Sequence, residues 1–325
     1  MFHRLAGAAL LAASLLLPAV AAAQPAAWPA KPVTLIVPFP PGGGTDAFAR
    51  PLAAQLSKQL GRQVVIDNRG GAGGTVGAAL AAKAAPDGYT FFVGAVHHAI
   101  APSFYPKLDY DIEKDLVPIM MIANPPQVIV ANPTRVAANE VKTLVATLKS
   151  SPGKLSYGSA GNGTSHHLAG ELFKQQTGTY VLHIPYRGAG PALSDLIAGN
   201  VDLMFDGLGS SAQHIRSGRI KAIAVAAPQR AAAFPNVPTA AEAGLPDYRV
   251  STWYGLWAVK GTPAPIVDRM QAEVTKALAT PELREVWLAN GSEVPSMSQA
   301  EFARFLNAEI KRWAQVTETS GAKLD

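Results

Sequence analysis

The chain has 325 residues, no cysteine, 28 basic against 23 acidic side chains and a formal net charge of +5. That length buries one large or two ordinary domain cores, and the composition is neither disordered nor fibrous. Without cysteine there is no disulfide framework, thiol nucleophile or lipid-bearing cysteine, and basic residues scattered without a Lys/Arg run point to small anions and away from nucleic acid.

Residues 1–23 carry Arg4 as their only charge, an apolar run from Leu5 to Leu17, and small residues at Ala21, Ala22 and Ala23. These are the parts of a cleavable secretory signal peptide; an apolar run of about 13 residues is short of the ~20 that span a bilayer. The mature chain from Gln24 is therefore expected to be exported and soluble in a bacterial periplasm, with no insertion in the membrane.

From Lys31 onward β-rich and helical runs alternate. Lys31 to Val37 reads as a strand, Asp46 to Leu60 as a helix, Gln63 to Asp67 as a strand, Thr75 to Ala85 as a helix and Tyr89 to Gly94 as a strand. Such alternation predicts βαβ units on a mostly parallel sheet, with ligand sites at the carboxyl ends of the strands. Two apolar runs meet at Asn124-Pro125-Pro126, as expected of a chain leaving one lobe for another. A second series follows: a helix at Val141 to Lys149, a strand at Lys154 to Tyr157, a helix from Ser165 and a strand at Tyr180 to Pro185. It closes with a helix at Pro191 to Ala198 and strands at Val201 to Phe205 and Ile220 to Ala226. Pro228 to Pro246 reads as the return crossing and Ser251 to Val259 as an aromatic-rich strand. The C-terminal part is helical, with N-caps at Thr262-Pro263 and Thr280-Pro281, a C-cap at Asn290-Gly291 and a capping box of Ser298 with Glu301. Phe302, Phe305, Leu306, Ile310 and Trp313 form one apolar stripe expected in the core. The predicted organisation is a signal peptide at 1–23, lobe 1 at 24–124, lobe 2 at 125–230, and the return crossing with the rest of lobe 1 at 231–325.

Two strand-to-helix junctions stand out. In Val33 to Arg50 a strand runs through Pro40, Pro41, Gly42, Gly43 and Gly44 into a helix that Thr45 or Asp46 can cap; in Leu155 to Phe173, Ser159, Gly161, Asn162, Gly163 and Thr164 precede another. Unpaired amides at a helix N-terminus favour an anion, and glycines let the backbone approach it. A helix end contributes up to about 2 kcal/mol, so two fall short of the roughly 8 kcal/mol of micromolar binding and need direct hydrogen bonds, water and closure to add to them. The loop lacks the Gly-Lys-Ser/Thr ending of a phosphate cradle. His97-His98 and His166-His167 invite a metal, but neighbours in sequence point apart and no His-Glu-x-x-His occurs; a cleft-lining role for one of them is the alternative. Asp206, at a strand end, can meet a ligand amine or hydroxyl or cap the next turn. Ser159 or Ser165 with His183 and Asp206 can be written as a hydrolytic triad, without a Gly-x-Ser-x-Gly elbow.

Six segments in order carry a resemblance: VPFPPGGGTDAFAR from Val37, NRGGAGG from Asn68, APDGYT from Ala85, PGKLSYGSAGNGTSHHLAGELF from Pro152, HIPYRGAGPALSDLIAGNVDLMFD from His183 and PNVPTAAEAGLP from Pro235. Across nearly all of the mature chain the sequence resembles the tripartite tricarboxylate transporter substrate-binding family, the Bug receptors. The resemblance implies a two-lobed α/β clamshell of the type II-like periplasmic-binding kind. It also implies a non-catalytic, cofactor-free monomer that delivers a small organic carboxylate to a membrane permease. Carried over, it puts Phe39, Pro41, Gly42, Gly43, Thr45 and Asp46 in one jaw and Ser159, Ala160, Gly161, Gly163 and Thr164 in the other. Where many relatives carry Thr, Ser and an Asn-Pro step, this chain reads Gly94 to Pro102, with Ala95 and His97 expected at the far end of the ligand; dicarboxylate, amino acid and aromatic acid all fit. A secreted hydrolase and a metal-binding protein are the competing classes.

Overall fold

A computed structural model describes residues 28–250 and 252–320. The predicted signal peptide and Ser251 lie outside them. Two five-stranded sheets form the framework. The first takes β1 (Val33–Val37), β2 (Val64–Asn68), β3 (Thr90–Ala95), β4 (Leu116–Ala123) and β10 (Tyr254–Val259), in the order β2-β1-β3-β10-β4. The second takes β5 (Gln127–Ala131), β6 (Ser156–Ser159), β7 (Leu182–Pro185), β8 (Leu203–Gly207) and β9 (Lys221–Val225), in the order β7-β6-β8-β5-β9.

Both sheets are mixed. β1 runs parallel to β2 and β3, and β6 to β7 and β8, as alternation predicted; β10 is antiparallel to β3 and β4, and β5 to β8 and β9. The antiparallel strands β5 and β10 are those by which the chain enters a sheet after leaving the other one, so no crossover helix sets their direction. β4 passes to β5 through Asn124-Pro125-Pro126. On the way back, Thr239 bridges Val225 and the Tyr248 hydroxyl donates to the Ala169 carbonyl, so residues 231–250 stay against the second sheet before the chain returns.

Helices cover the sheets: α1 (Gly44–Leu60), α2 (Thr75–Ala82), α3 (His97–Phe104), α4 (Val141–Ser150), α5 (Ser165–Thr177), α6 (Ala189–Ala198), α7 (Leu208–Arg216), α8 (Ala264–Ala279), α9 (Pro281–Ala289) and α10 (Gln299–Ser320). α3 and α7 were not expected. Pro102 interrupts the pattern of α3, and Gly209, Ser210 and Ser211 are poor helix formers at the start of α7, so packing overrides propensity at both. The N-cap of α1 is Gly43, with no side-chain cap, where Thr45 or Asp46 had been expected; Pro263, one residue after Thr262, takes the N-cap of α8. Thr280 caps α9, and Ser298 and Glu301 exchange the two bonds of a capping box, as read.

One core fills the space between the first sheet and α1, α8 and α9 around Phe48, Leu52, Met270 and Trp287. A second is continuous between the sheets, joining Phe92, Trp257, Phe302, Leu306 and Trp313 to Tyr157, Phe173 and Phe205. Phe305 and Ile310 of the predicted stripe pack at its edge.

Candidate functional site

The two junctions face each other. β1 ends at Val37, and the Pro40-to-Gly43 turn brings the chain into α1; in the second sheet β6 ends at Ser159 and residues 160–164 lead into α5. Between them lies a cavity lined by Phe39, Gly43, Gly44, Thr45, His97 and Tyr254 on one side and by Ala160, His166 and Ala189 on the other. No Lys or Arg lines it. Its polar walls are helix N-termini and neutral side chains, which suit an anion through hydrogen bonds and dipoles.

The jaws are in contact. Gly43 packs opposite Ala189, and a Cβ on Gly190 would overlap the Pro41 carbonyl. Phe39, Ala160 and Ala189 form a small apolar cluster across the gap, the Tyr105 hydroxyl donates to the Asn162 carbonyl at 2.7 Å, and the Ser165 N–H donates to His97 Nδ1 at 3.0 Å. The cavity that remains measures about 10 Å³, roughly the room for one water molecule.

Several predicted residues have other partners than a ligand. Asp46 Oδ2 accepts from the Gly42 N–H at 3.2 Å and from Arg50 at 2.7 Å, and Oδ1 accepts from Asn68 at 3.1 Å, so this carboxylate braces the turn. Gly42, at φ +85°, occupies the left-handed region that turn requires. Ala95 is fully buried, its backbone held by His98 Nδ1 at 3.0 Å. Thr164 caps α5, accepting from the His167 N–H and donating to the Gly161 carbonyl. Gly161 and Gly163 both have positive φ, and a Cβ on Gly163 would overlap Phe104.

The histidine pairs split as neighbours must. His97 points across to α5, while His98 is held by Ala95 and Gly74, and burial pushes its pKa down to about 4. His167 stacks on His183 at 4.2 Å, and His166 lies against Asp206. No three His, Asp or Glu side chains gather as a metal site among the described residues.

Asp206 is fully buried, and its Oδ2 accepts from the hydroxyls of Ser210 at 2.8 Å and Ser211 at 2.5 Å in the first turn of α7. The capping alternative thus holds for Oδ2, and Oδ1 faces His166 Nε2 at 3.4 Å without a well-aligned hydrogen bond. The triad written from sequence comes apart. Ser159 Oγ does meet His183 Nε2 at 2.6 Å, but Asp206 belongs to His166, and Ser159 is fully buried. Burial, then His167 and Lys174, push His183 down to about 3.

Sequence reasoning placed Gly44 in the first jaw but missed Tyr254 and Ala189 as cavity residues. Gly188-Ala189-Gly190-Pro191 repeats the design of the first jaw, a glycine turn opening helix α6, and was a readable signal. Tyr254 carried none, since an aromatic in a buried strand looks like core; burial and Asp206 raise its hydroxyl pKa well above the usual tyrosine value.

The model of the tripartite tricarboxylate transporter family receptor matches residues 48–322. The chain belongs to this receptor family. It is 38% identical over 299 residues to protein BugT of Bordetella pertussis, covering 91% of each chain. Among solved structures, periplasmic binding protein BugD superposes with a TM-score of 0.88 at 35% identity, covering 91% of this chain and 99% of that one. Rpa4515 of R. palustris with adipate gives 0.88 at 36% identity, covering 91% and 100%. MatC of Rhodopseudomonas palustris with bound malate gives 0.84 at 35%, covering 89% and 99%. This receptor thus has the two-lobed α/β fold of periplasmic solute-binding proteins, and its family is one of binding proteins, not enzymes. No helix among its described residues is long and apolar enough to cross a membrane.

Proposed function

We propose that this receptor is exported to the periplasm, captures a small organic carboxylate between its lobes without catalysis, and delivers it to a membrane permease of the tripartite tricarboxylate type. The observation that carries the reading is the convergence of Gly43, Gly44 and Thr45 at the start of α1, His166 at the start of α5 and Ala189 at the start of α6 on one cavity without a cationic side chain. Helix N-termini and small hydroxyls satisfy a carboxylate by hydrogen bonding, and the carboxylates named with two structural relatives, adipate and malate, support the same class. The jaws then close on the acid through the contacts of Gly43 with Ala189 and of His97 with Ser165. Because the closed space holds about 10 Å³, entry of an organic acid requires the lobes to part.

A thermal-shift screen of mono- and dicarboxylates against the purified mature chain is the direct test. A bound acid raises the melting temperature in proportion to RT ln(1 + [L]/Kd). Stabilisation by at least one acid is expected, with no ester hydrolysis in the same preparation. Failure of every acid to shift the transition, or turnover of an ester abolished by Ser159→Ala, sinks the reading.

A further inference from the structure

We propose that Tyr105 is a closure latch, a positioning residue outside the ligand cavity that slows release of the acid by holding the two lobes together; this rests on the carboxylate-receptor reading above. Tyr105 follows α3 in the first lobe, and its hydroxyl donates at 2.7 Å to the carbonyl of Asn162, in the second-lobe loop that leads into α5. Neither residue lines the inter-lobe cavity, so this bond joins the lobes through protein groups alone. Burial pushes the Tyr105 hydroxyl pKa up to about 12, which keeps on it the proton that it donates.

The surrounding backbone is shaped to this bond. Gly73 lies in the turn between β2 and α2 at φ +61°, and a Cβ there would fall 2.6 Å from the Tyr105 hydroxyl and 2.9 Å from the Asn162 oxygen. A tyrosine side chain can swing aside, but the Asn162 carbonyl is backbone, so a side chain at position 73 holds the lobes apart. Gly161 faces the same turn from the second lobe, where a Cβ would meet the Gly73 nitrogen at 3.6 Å. Next to the latch, the Phe104 ring stands edge-on to His167 of α5 at 5.8 Å. Two first-lobe segments far apart in sequence therefore meet one second-lobe loop, away from the cavity wall.

A latch differs in its signature from a ligand contact. With the lobes parted, water satisfies both the hydroxyl and the carbonyl; with the lobes closed they satisfy each other, so loss of the hydroxyl penalises the closed form alone. An acid enters the open form and leaves only after the lobes part, so the latch acts on release and not on capture. Because it makes no contact with the acid, its effect is one factor common to every acid. A residue that merely packed its own lobe would instead lower stability in the absence of any acid.

Stopped-flow kinetics with malate, succinate, adipate and every further acid retained from the thermal-shift screen test this in Tyr105→Phe and Gly73→Ala. Tyr105→Phe keeps the ring and removes only the hydroxyl. It should raise the dissociation rate constant about fivefold, by the same factor for each acid, and leave the association rate constant and the acid-free melting temperature unchanged. Gly73→Ala, which blocks closure sterically, should raise it about tenfold or more, and it decides alone if Tyr105→Phe fails to fold. Unchanged dissociation in both variants overturns the latch and leaves the receptor reading intact. So does a change that differs from acid to acid, which marks a ligand contact, or one matched by a fall in acid-free melting temperature, which marks a packing role. Binding of no acid by the wild-type chain overturns both.

Discussion

Gly44 shows how closely the first jaw is tailored at the scale of single residues. A Cβ there would overlap the hydroxyl of Tyr254, a buried side chain in the wall of the cavity. Overpacking of this kind costs about 1–3 kcal/mol. Gly44→Ala is therefore expected to weaken carboxylate binding about tenfold or more in titration calorimetry, with partial recovery in the Gly44→Ala/Tyr254→Phe double variant; undiminished affinity in the single variant would separate this turn from the ligand. The Pro-Gly composition of the turn was legible because glycine and proline act locally. Asp46 was read as a ligand contact, yet its carboxylate is consumed by Gly42, Arg50 and Asn68, and Asn68 lies 22 positions away, beyond the reach of local pattern. His166 was legible only as one of a pair, because its partner Asp206 comes from a different strand end.

At the scale of elements, caps and stripes were readable and docking was not. The capping box and apolar stripe of α10 follow from spacing within one helix, but what anchors that helix is Glu309, 5% exposed, which accepts from the indole N–H groups of Trp253 at 2.9 Å and Trp313 at 3.1 Å and pairs with Arg312. Glu309→Ala leaves two buried donors without an acceptor, at a cost of about 2–5 kcal/mol. Denaturant unfolding should register that loss, while affinity for a bound acid should stay within a few-fold, since Glu309 is no part of the cavity wall. A stability change below about 1 kcal/mol would refute the anchoring role. α3 and α7 escaped the sequence reading because their local propensity is weak; α3 is held by α10 and α7 by the Asp206 carboxylate. Their cohesion is supplied by neighbours distant in the chain.

For the whole molecule, buried histidines make stability depend on pH. Burial lowers His98 to about 4 and His183 to about 3 from the ordinary value near 6.5. In the window between those values and 6.5 the unfolded chain binds protons that the folded chain refuses, so the contribution is fully present above about pH 6.5 and is lost as pH falls toward 4 and then 3. Each pH unit in that window costs up to about 1.4 kcal/mol for the fully buried His98 and less for His183, which is partly exposed. Urea unfolding at pH 7 and pH 5 should differ by about 2 kcal/mol or more, the acidic condition being weaker; equal midpoints would show that these rings are solvated.

The strands and the helices other than α3 and α7, the glycine-bearing turns and the caps of α9 and α10 are properties of short stretches of chain, and the sequence by itself determined them. Which turns share a cavity, which histidine meets which carboxylate, and the antiparallel entry of β5 and β10 were decided only by the tertiary structure. The physical reason is range: dihedral preference, periodicity and capping act over a few residues, whereas hydrogen-bond partners and cavity walls are set by packing between segments far apart in the chain.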